Sequence, residues 1–369
     1  MPRRSPPATV QQWKQLDMRN ADMTQTDIRN QPCTPDKPAQ HSRVPAFSPL
    51  ALGGAPIGNL YAGVSENDAL ETVRHAWQQG IRHFDTAPYY GYGLSEARLG
   101  RALAGLTRDS YTLSTKVGRL VLDTGNVQAN SADGFAVAGR HAVFDYSRDG
   151  ILRSVEASLQ RLQTDHVDVL LLHDIGALTH GPRHAAVLRQ ALDESLPTMA
   201  ELRSQGVCQA IGLGVNEEDI CLQVMPAFDL DIIMLAGRYT LFEQHESARV
   251  MALAVQKNVA VMAAGPYNSG LMSGAETPGD TYNYAPADAA VVARAKRFYV
   301  ICAQNGIEPG AAALQFPLAH PAVATVVCGL RSPAEVDSAV HRMHGTAIPA
   351  HLWEALRHAG LLDSSAVTP

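Results

Sequence analysis

The chain has 369 residues, 46% hydrophobic and 18% charged, with 30 Lys+Arg against 36 Asp+Glu for a formal net charge of −6. That is enough for one large barrel or two ordinary domains with a substantial core. No basic stripe with interleaved aromatics marks a nucleic-acid partner, and no apolar run approaches the ~20 residues of a membrane helix.

Residues 1–45 are polar, rich in Pro, Gln, Asn, Asp and Thr, and have no sustained period. They predict a disordered or loosely draped extension. From Phe47 onward the chain alternates. Residues 50–54 predict a first strand, and 67–79 an amphipathic helix with Ala69, Leu70, Val73 and Trp77 on its apolar face. A short buried strand then runs up to Asp85, where Pro88 and Gly91 force a loop. Ser95 is expected to cap the next helix, with Glu96 at the positive end of its dipole.

Further strands are predicted at 111–117, 167–173, 207–215, 231–236, 259–264 and 323–328. Helices lie between them, notably at 148–162, 192–204, 244–257 and 287–305, and two more, 333–343 and 351–359, close the chain. Polar insertions occupy 118–147 and about 175–190. Eight strands alternating with helices imply parallel pairing with right-handed crossovers. The fold class is therefore α/β, a single (β/α)8 barrel over residues 46–369. An open doubly wound sheet is the alternative, but 53–58 lacks its G-x-G-x-x-G fingerprint. Gly212 and Gly214 make a lone G-x-G, read as turn glycines. The five cysteines are scattered with no C-x-x-C pair, which argues against a disulfide framework or a metal site and suits a cytoplasmic protein. Cys328, at a strand end, is read as a packing residue rather than a reactive thiol.

Three consecutive predicted strands end in ionisable side chains: Asp85, Lys116 and His173. If those strands are parallel neighbours, the three groups converge on one rim, with Tyr90 above them. Lysine is almost never buried without a partner. The bland reading of the Asp85–Tyr90 stretch alone is a capping carboxylate and a packed ring. His83 shares a strand face with Asp85 and reads as a core histidine.

The run Asp85-Thr86-Ala87-Pro88-Tyr89-Tyr90-Gly91, followed by Ser95-Glu96, resembles the aldo-keto reductases, and segments 238–244, 265–271 and 312–321 extend the resemblance over roughly 46–345. The chain is most similar to the branch holding aldose 1-dehydrogenases (L-fucose and D-threo-aldose types) and pyridoxal 4-dehydrogenase. The resemblance implies Tyr90 as general acid/base, Lys116 as the cation that lowers its pKa from roughly 10, Asp85 as the lysine's ion-pair partner, and His173 as the group orienting the substrate oxygen. Family spacing selects Tyr90 over Tyr89 and Tyr92.

The same resemblance implies a nicotinamide cofactor. Gly265, Asn268 and Gly270 would lie on its pyrophosphate loop, and Gly329, Arg331, Ser332 and Glu335 at its adenosine end. Asn216 falls near the carboxamide grip. Several positions depart from the common family pattern: Cys328, Glu335, Ala339, Ala236, Ala264 and Gly214-Val215-Asn216. Arg331 favours NADP and Glu335 favours NAD; NAD is preferred, with dual use expected. The expected function is NAD(P)-dependent oxidation of a small hydroxylated substrate, an aldose at C1 giving a lactone. The alternatives are pyridoxal oxidation, general aldehyde or ketone reduction, and a non-catalytic barrel subunit or sensor. All four tetrad residue types are present, which weighs against the last.

Overall fold

The strands, in chain order, are β1 (Leu50–Gly53), β2 (His83–Asp85), β3 (Thr112–Val117), β4 (Arg119–Asp123), β5 (Arg140–Phe144), β6 (Val167–His173), β7 (Cys208–Val215), β8 (Ile232–Ala236), β9 (Ala260–Ala264), β10 (Thr281–Tyr282), β11 (Ala285–Pro286) and β12 (Val323–Gly329). They belong to a computed structural model that describes residues 43–125, 133–274, 276–345 and 347–369. Most of the N-terminal extension, 1–42, and part of the first insertion, 126–132, lie outside the described residues. Eight strands close a barrel in the order β1-β12-β9-β8-β7-β6-β3-β2, every neighbouring pair parallel. This is the (β/α)8 architecture expected from the alternation.

Period-two alternation sorts each strand between two cores. On β6, Leu170 and Leu172 join the layer between strands and helices. Val169 and Leu171 point inward with Ala51, Ala210, Ile232, Met234 and Met262. The same alternation turns His83 and Asp85 of β2 inward while Phe84 faces the helices. Strand ends at one rim therefore carry Asp85, Lys116 and His173, whereas toward the opposite end the interior holds His83 and Thr112 beside the apolar Val44 and Phe47.

The N-terminal end of the barrel is closed by the segment just before β1. Val44 and Phe47 pack against the interior cluster. Arg43 pairs with Asp231 at 2.7 Å and with Asp229 at 2.9 Å, and the fully buried Asp231 also binds Arg203 and accepts the Ile211 amide. Deleting residues 2–40 is expected to leave the melting temperature and activity unchanged. Deleting 2–48 removes the Val44 and Phe47 plug and should cost at least about 2 kcal/mol. Thermal melts of the two truncations check this, and equal melts would show that the clasp is dispensable.

Two local readings are corrected. The helix Leu94–Leu103 opens on Gly93, at φ 87°, with no side-chain cap. The Ser95 hydroxyl instead donates to the Gly54 carbonyl and accepts from Thr86, each at 2.8 Å. Glu96 is fully buried, accepting from Thr115 at 2.7 Å and pairing with Arg161 at 2.6 Å, so it ties helix to barrel. Gly212 and Gly214 lie inside β7, not in a turn. A Cβ at 212 would sit 1.6 Å from the Ile232 carbonyl oxygen, and one at 214 would sit 3.3 Å from Lys116 Cε. The first insertion contributes the β4–β5 hairpin, and the second carries the short helices Ala177–His180 and His184–Gln190. Among the described residues, no helix is long and apolar enough to cross a membrane.

Candidate active site

Lys116 is inward on β3 and almost fully buried. Its ammonium donates to both Asp85 oxygens, at 2.8 and 3.0 Å, and to the Thr86 carbonyl at 2.9 Å. It also lies 4.6 Å from the centre of the Tyr90 ring. A lysine can stay charged in such a place only against an opposite charge. Burial works against its proton, but Asp85 and Tyr90 outweigh burial and hold the ammonium above its ordinary value. For the Tyr90 phenol, burial is the largest influence and pushes the pKa up. Lys116 pulls it back down, and Asp85 and Asp174 oppose that pull.

His173 closes the rim opposite. Its ring stands nearly perpendicular to that of Tyr90, with centroids 6.2 Å apart. Burial, then the charges of Arg119 and Lys116, push its pKa well below the ordinary imidazole value, so it is neutral. Nδ1 is buried with no hydrogen-bond partner, and Nε2 lies 3.4 Å from the Asp174 carboxylate. A neutral imidazole beside the Tyr90 ring is suited to orienting a substrate oxygen.

The three tyrosines of the loop have different surroundings. Tyr92 is fully buried and donates to Asp133 at 2.7 Å. Tyr89 is covered by the Arg119 guanidinium, 3.9 Å from its ring. Tyr90 lies against Lys116 and lines the large cavity at the barrel mouth. Phe135, from the first insertion, packs against all three rings at 5.3–6.2 Å. The structure therefore brings Asp85, Tyr90, Lys116 and His173 together.

The cavity, of about 490 Å³, runs from Asp85 and Tyr90 past Ala236 and Ala264 to Arg331, Glu335 and Arg342. Six of the eight cofactor candidates line it: Gly265, Asn268, Gly270, Gly329, Arg331 and Glu335. Gly265 and Gly270 adopt φ 64° and 93°, which lets their backbone turn close to the cavity. Its elongated run of small residues, ending beside a guanidinium, fits a nicotinamide dinucleotide. The Asn268 side chain is already committed, donating to the Gly237 carbonyl at 3.1 Å and accepting from Thr240 at 2.8 Å. Ser332 caps the helix Pro333–His344 and accepts from the Glu335 amide. Asn216 stands outside the cavity wall, where it donates to Asp174 at 3.2 Å and its carbonyl accepts from Arg238. Arg331 and Glu335 are paired at 2.8 Å, and the same carboxylate accepts the Arg331 amide at 2.9 Å. Cys328 lines the wall, and burial pushes its thiol up to about 12.

Several site residues escaped the sequence reading. The Arg119–Asp174 ion pair sits behind His173. Its signal is that Asp174 directly follows the end of β6 and Arg119 lies two residues past the end of β3. Tyr61 and Tyr284 overhang the cavity. Tyr284 is held over it by the β10–β11 hairpin, through a 3.1 Å bond from its amide to Ser269. Arg342, bound to Glu308 and the Ser273 carbonyl, had no sequence signal.

The aldo/keto reductase family matches residues 49–357. The pyridoxal 4-dehydrogenase of Microbacterium luteolum is 38% identical over 327 residues, 85% of this chain and 94% of that protein. The D-threo-aldose 1-dehydrogenase of a Pseudomonas species is 35% identical over 339 residues, 89% of this chain and 98% of that protein. The holo form of an aldo-keto reductase from Bacillus halodurans superimposes with a TM-score of 0.66 at 25% identity, covering 87% of this chain and 94% of that one. A family match over most of the barrel, on top of the barrel topology itself, identifies the chain as a member of the aldo/keto reductase family and an NAD(P)-dependent oxidoreductase.

Proposed function

We propose that the protein oxidises a cyclic hemiacetal, in the first place an aldose at C1, to a lactone, with Tyr90 taking the proton. The observation that carries this reading is the buried Tyr90–Lys116–Asp85 stack opening onto the cavity. When bound, nicotinamide supplies a hydride acceptor. The protein's part is to hold the substrate and move its hydroxyl proton. The phenol needs the Lys116 charge because burial alone makes the phenolate costly. Neutral His173, beside the Tyr90 ring, orients the same substrate oxygen, and Tyr61 and Tyr284 overhang the mouth. Loss of the carbon-bound hydrogen as hydride and of the hydroxyl hydrogen as a proton to Tyr90 leaves the C=O bond of the lactone.

Both relatives named above support the substrate class. An aldose is a cyclic hemiacetal, and pyridoxal closes to one through its neighbouring hydroxymethyl group. Pyridoxal is the second reading, favoured by the aromatic rings of Tyr61 and Tyr284 on the cavity and by the 38% relative. Steady-state reduction of NAD+ and NADP+ against a panel of aldoses and pyridoxal tests both. Turnover of simple aldehydes alone, with no hemiacetal oxidised, would overturn the proposal.

For the cofactor, we infer a modest preference for NAD. Arg331 is neutralised by Glu335, leaving little free charge for a 2′-phosphate, while the carboxylate suits a ribose diol. Glu335→Gln is expected to raise kcat/KM for NADP+ relative to NAD+ several-fold, and Arg331→Ala to lower it. A screened surface contact is worth on the order of 1 kcal/mol, hence a several-fold effect. Ratios unchanged in both variants would place the adenosine end elsewhere.

A further inference from the structure

The barrel interior directly beneath Asp85 is polar. The register of β2 and β3 sets His83 beside Thr112 and Asp85 beside Ser114, and all of these side chains point inward. His83 Nδ1 lies 2.8 Å from the Thr112 hydroxyl, and its Nε2 lies 3.1 Å from the Ser114 hydroxyl. Ser114 in turn donates to Asp85 Oδ1 at 2.7 Å. Phe47 covers the imidazole from below, edge to face at 4.7 Å. A row of hydrogen bonds thus leads from the barrel's middle to the carboxylate that holds Lys116.

Counting hydrogens gives this row a direction. An ionised Asp85 only accepts, so the single Ser114 hydrogen is committed to it. Ser114 must then accept from His83, which places the imidazole hydrogen on Nε2. Nδ1 is left as an acceptor for Thr112. His83 stays neutral throughout, because burial, assisted by the Lys116 charge, pushes its pKa down to about 3. The His83 and Ser114 hydrogens thus point toward Asp85, while the Thr112 hydroxyl has the Arg82 carbonyl, at 3.3 Å, as a second acceptor.

We propose that His83 and Ser114 are positioning residues for the reaction: a neutral His83 aims the Ser114 hydroxyl at Asp85 and so keeps the carboxylate and the Lys116 ammonium aligned on the Tyr90 phenol. This rests on the reading of Tyr90 as the proton acceptor. When Tyr90 loses its proton, the Asp85–Lys116–Tyr90 set goes from neutral to one net negative charge. Donors directed at the set favour that state. The ionisable groups facing Tyr90 are Lys116, Asp85, His173, Asp174 and Tyr284. Those facing His83 are Lys116 and, through Ser114, Asp85. Substitution at His83 or Ser114 leaves all of them in place.

The test isolates the ionisation of Tyr90 and needs no substrate. Tyrosinate absorbance is titrated in the parent and in Tyr90→Phe, and the difference is the Tyr90 curve. The same pair is recorded in the Ser114→Ala background, with circular dichroism confirming the fold at each pH. The Tyr90 curve is expected to move up by about half a unit to one unit in Ser114→Ala, as for loss of one directed donor. His83→Leu should move it in the same direction by less, and should add nothing in the Ser114→Ala background. His83→Gln, which keeps an N–H for Ser114, should restore the parent curve. If Ser114→Ala does not fold, the His83→Gln and His83→Leu pair decides by itself. Coincident Tyr90 curves in parent and Ser114→Ala, or in His83→Gln and His83→Leu, overturn the proposal. Turnover separates the two ideas. A fully active Tyr90→Phe removes the reading of Tyr90, whereas an inactive Tyr90→Phe beside an unmoved Ser114→Ala curve removes only the role of His83 and Ser114.

Discussion

Tyr90→Phe is expected to cut kcat by about 10²–10⁴-fold, the usual contribution of a general acid–base group. The substitution removes one oxygen from a ring packed against Lys116 and Phe135 and leaves the barrel intact. Cofactor affinity should be preserved, because the cavity beyond Tyr90 is built by residues 264–270 and 327–342. The size of the effect follows from the absence of a substitute. Tyr92 is bound to Asp133, and Tyr89 lies under Arg119, so neither reaches the proton. Single-turnover rates with either cofactor measure it, and activity within about threefold of the parent would free Tyr90 from the role.

Lys116→Met should be the second most damaging change, through two separate consequences. Asp85 is left as a buried carboxylate without its ion, a situation that typically costs about 3–5 kcal/mol. Ser114 still donates to it, which places the expected loss of stability toward the lower end. The phenol loses the influence that pulls its pKa down, while burial and Asp85 go on raising it. The sign is therefore upward: the pH at which Tyr90 becomes a phenolate rises, and activity persists, if at all, only at more alkaline pH. A denaturant melt and a pH–rate profile read the two effects independently. An unshifted profile with full activity would break the coupling between Lys116 and Tyr90.

Much of the placement of this site is legible in the sequence. The two-residue period of β2, β3 and β6 places Asp85, Lys116 and His173 on the interior face, and strict strand–helix alternation places their ends on one rim. What escaped depended on who bonds whom across the fold. Ser95 has the composition of a helix cap, yet Gly93 makes the entry and the Ser95 hydroxyl is claimed by Gly54. Gly212 and Gly214 look alike whether in a turn or a strand, and only the nearness of Ile232 and Lys116 tells them apart. Asn268 lines the cavity, but its bonds to Gly237 and Thr240, far away in sequence, are visible only in the fold. His83 reads correctly as an interior histidine, but its link to Asp85 needs the register of β2 against β3.

The Arg43 clasp at the N-terminal end of the strands has a practical corollary. Arg43 binds Asp229 and Asp231 just ahead of β8, while Tyr90, His173 and the cavity belong to the far rim. The polypeptide therefore enters the barrel at the pole opposite its mouth. A fusion partner or support joined directly at Arg43, in place of residues 1–42, would sit at that pole and leave the mouth facing the solution.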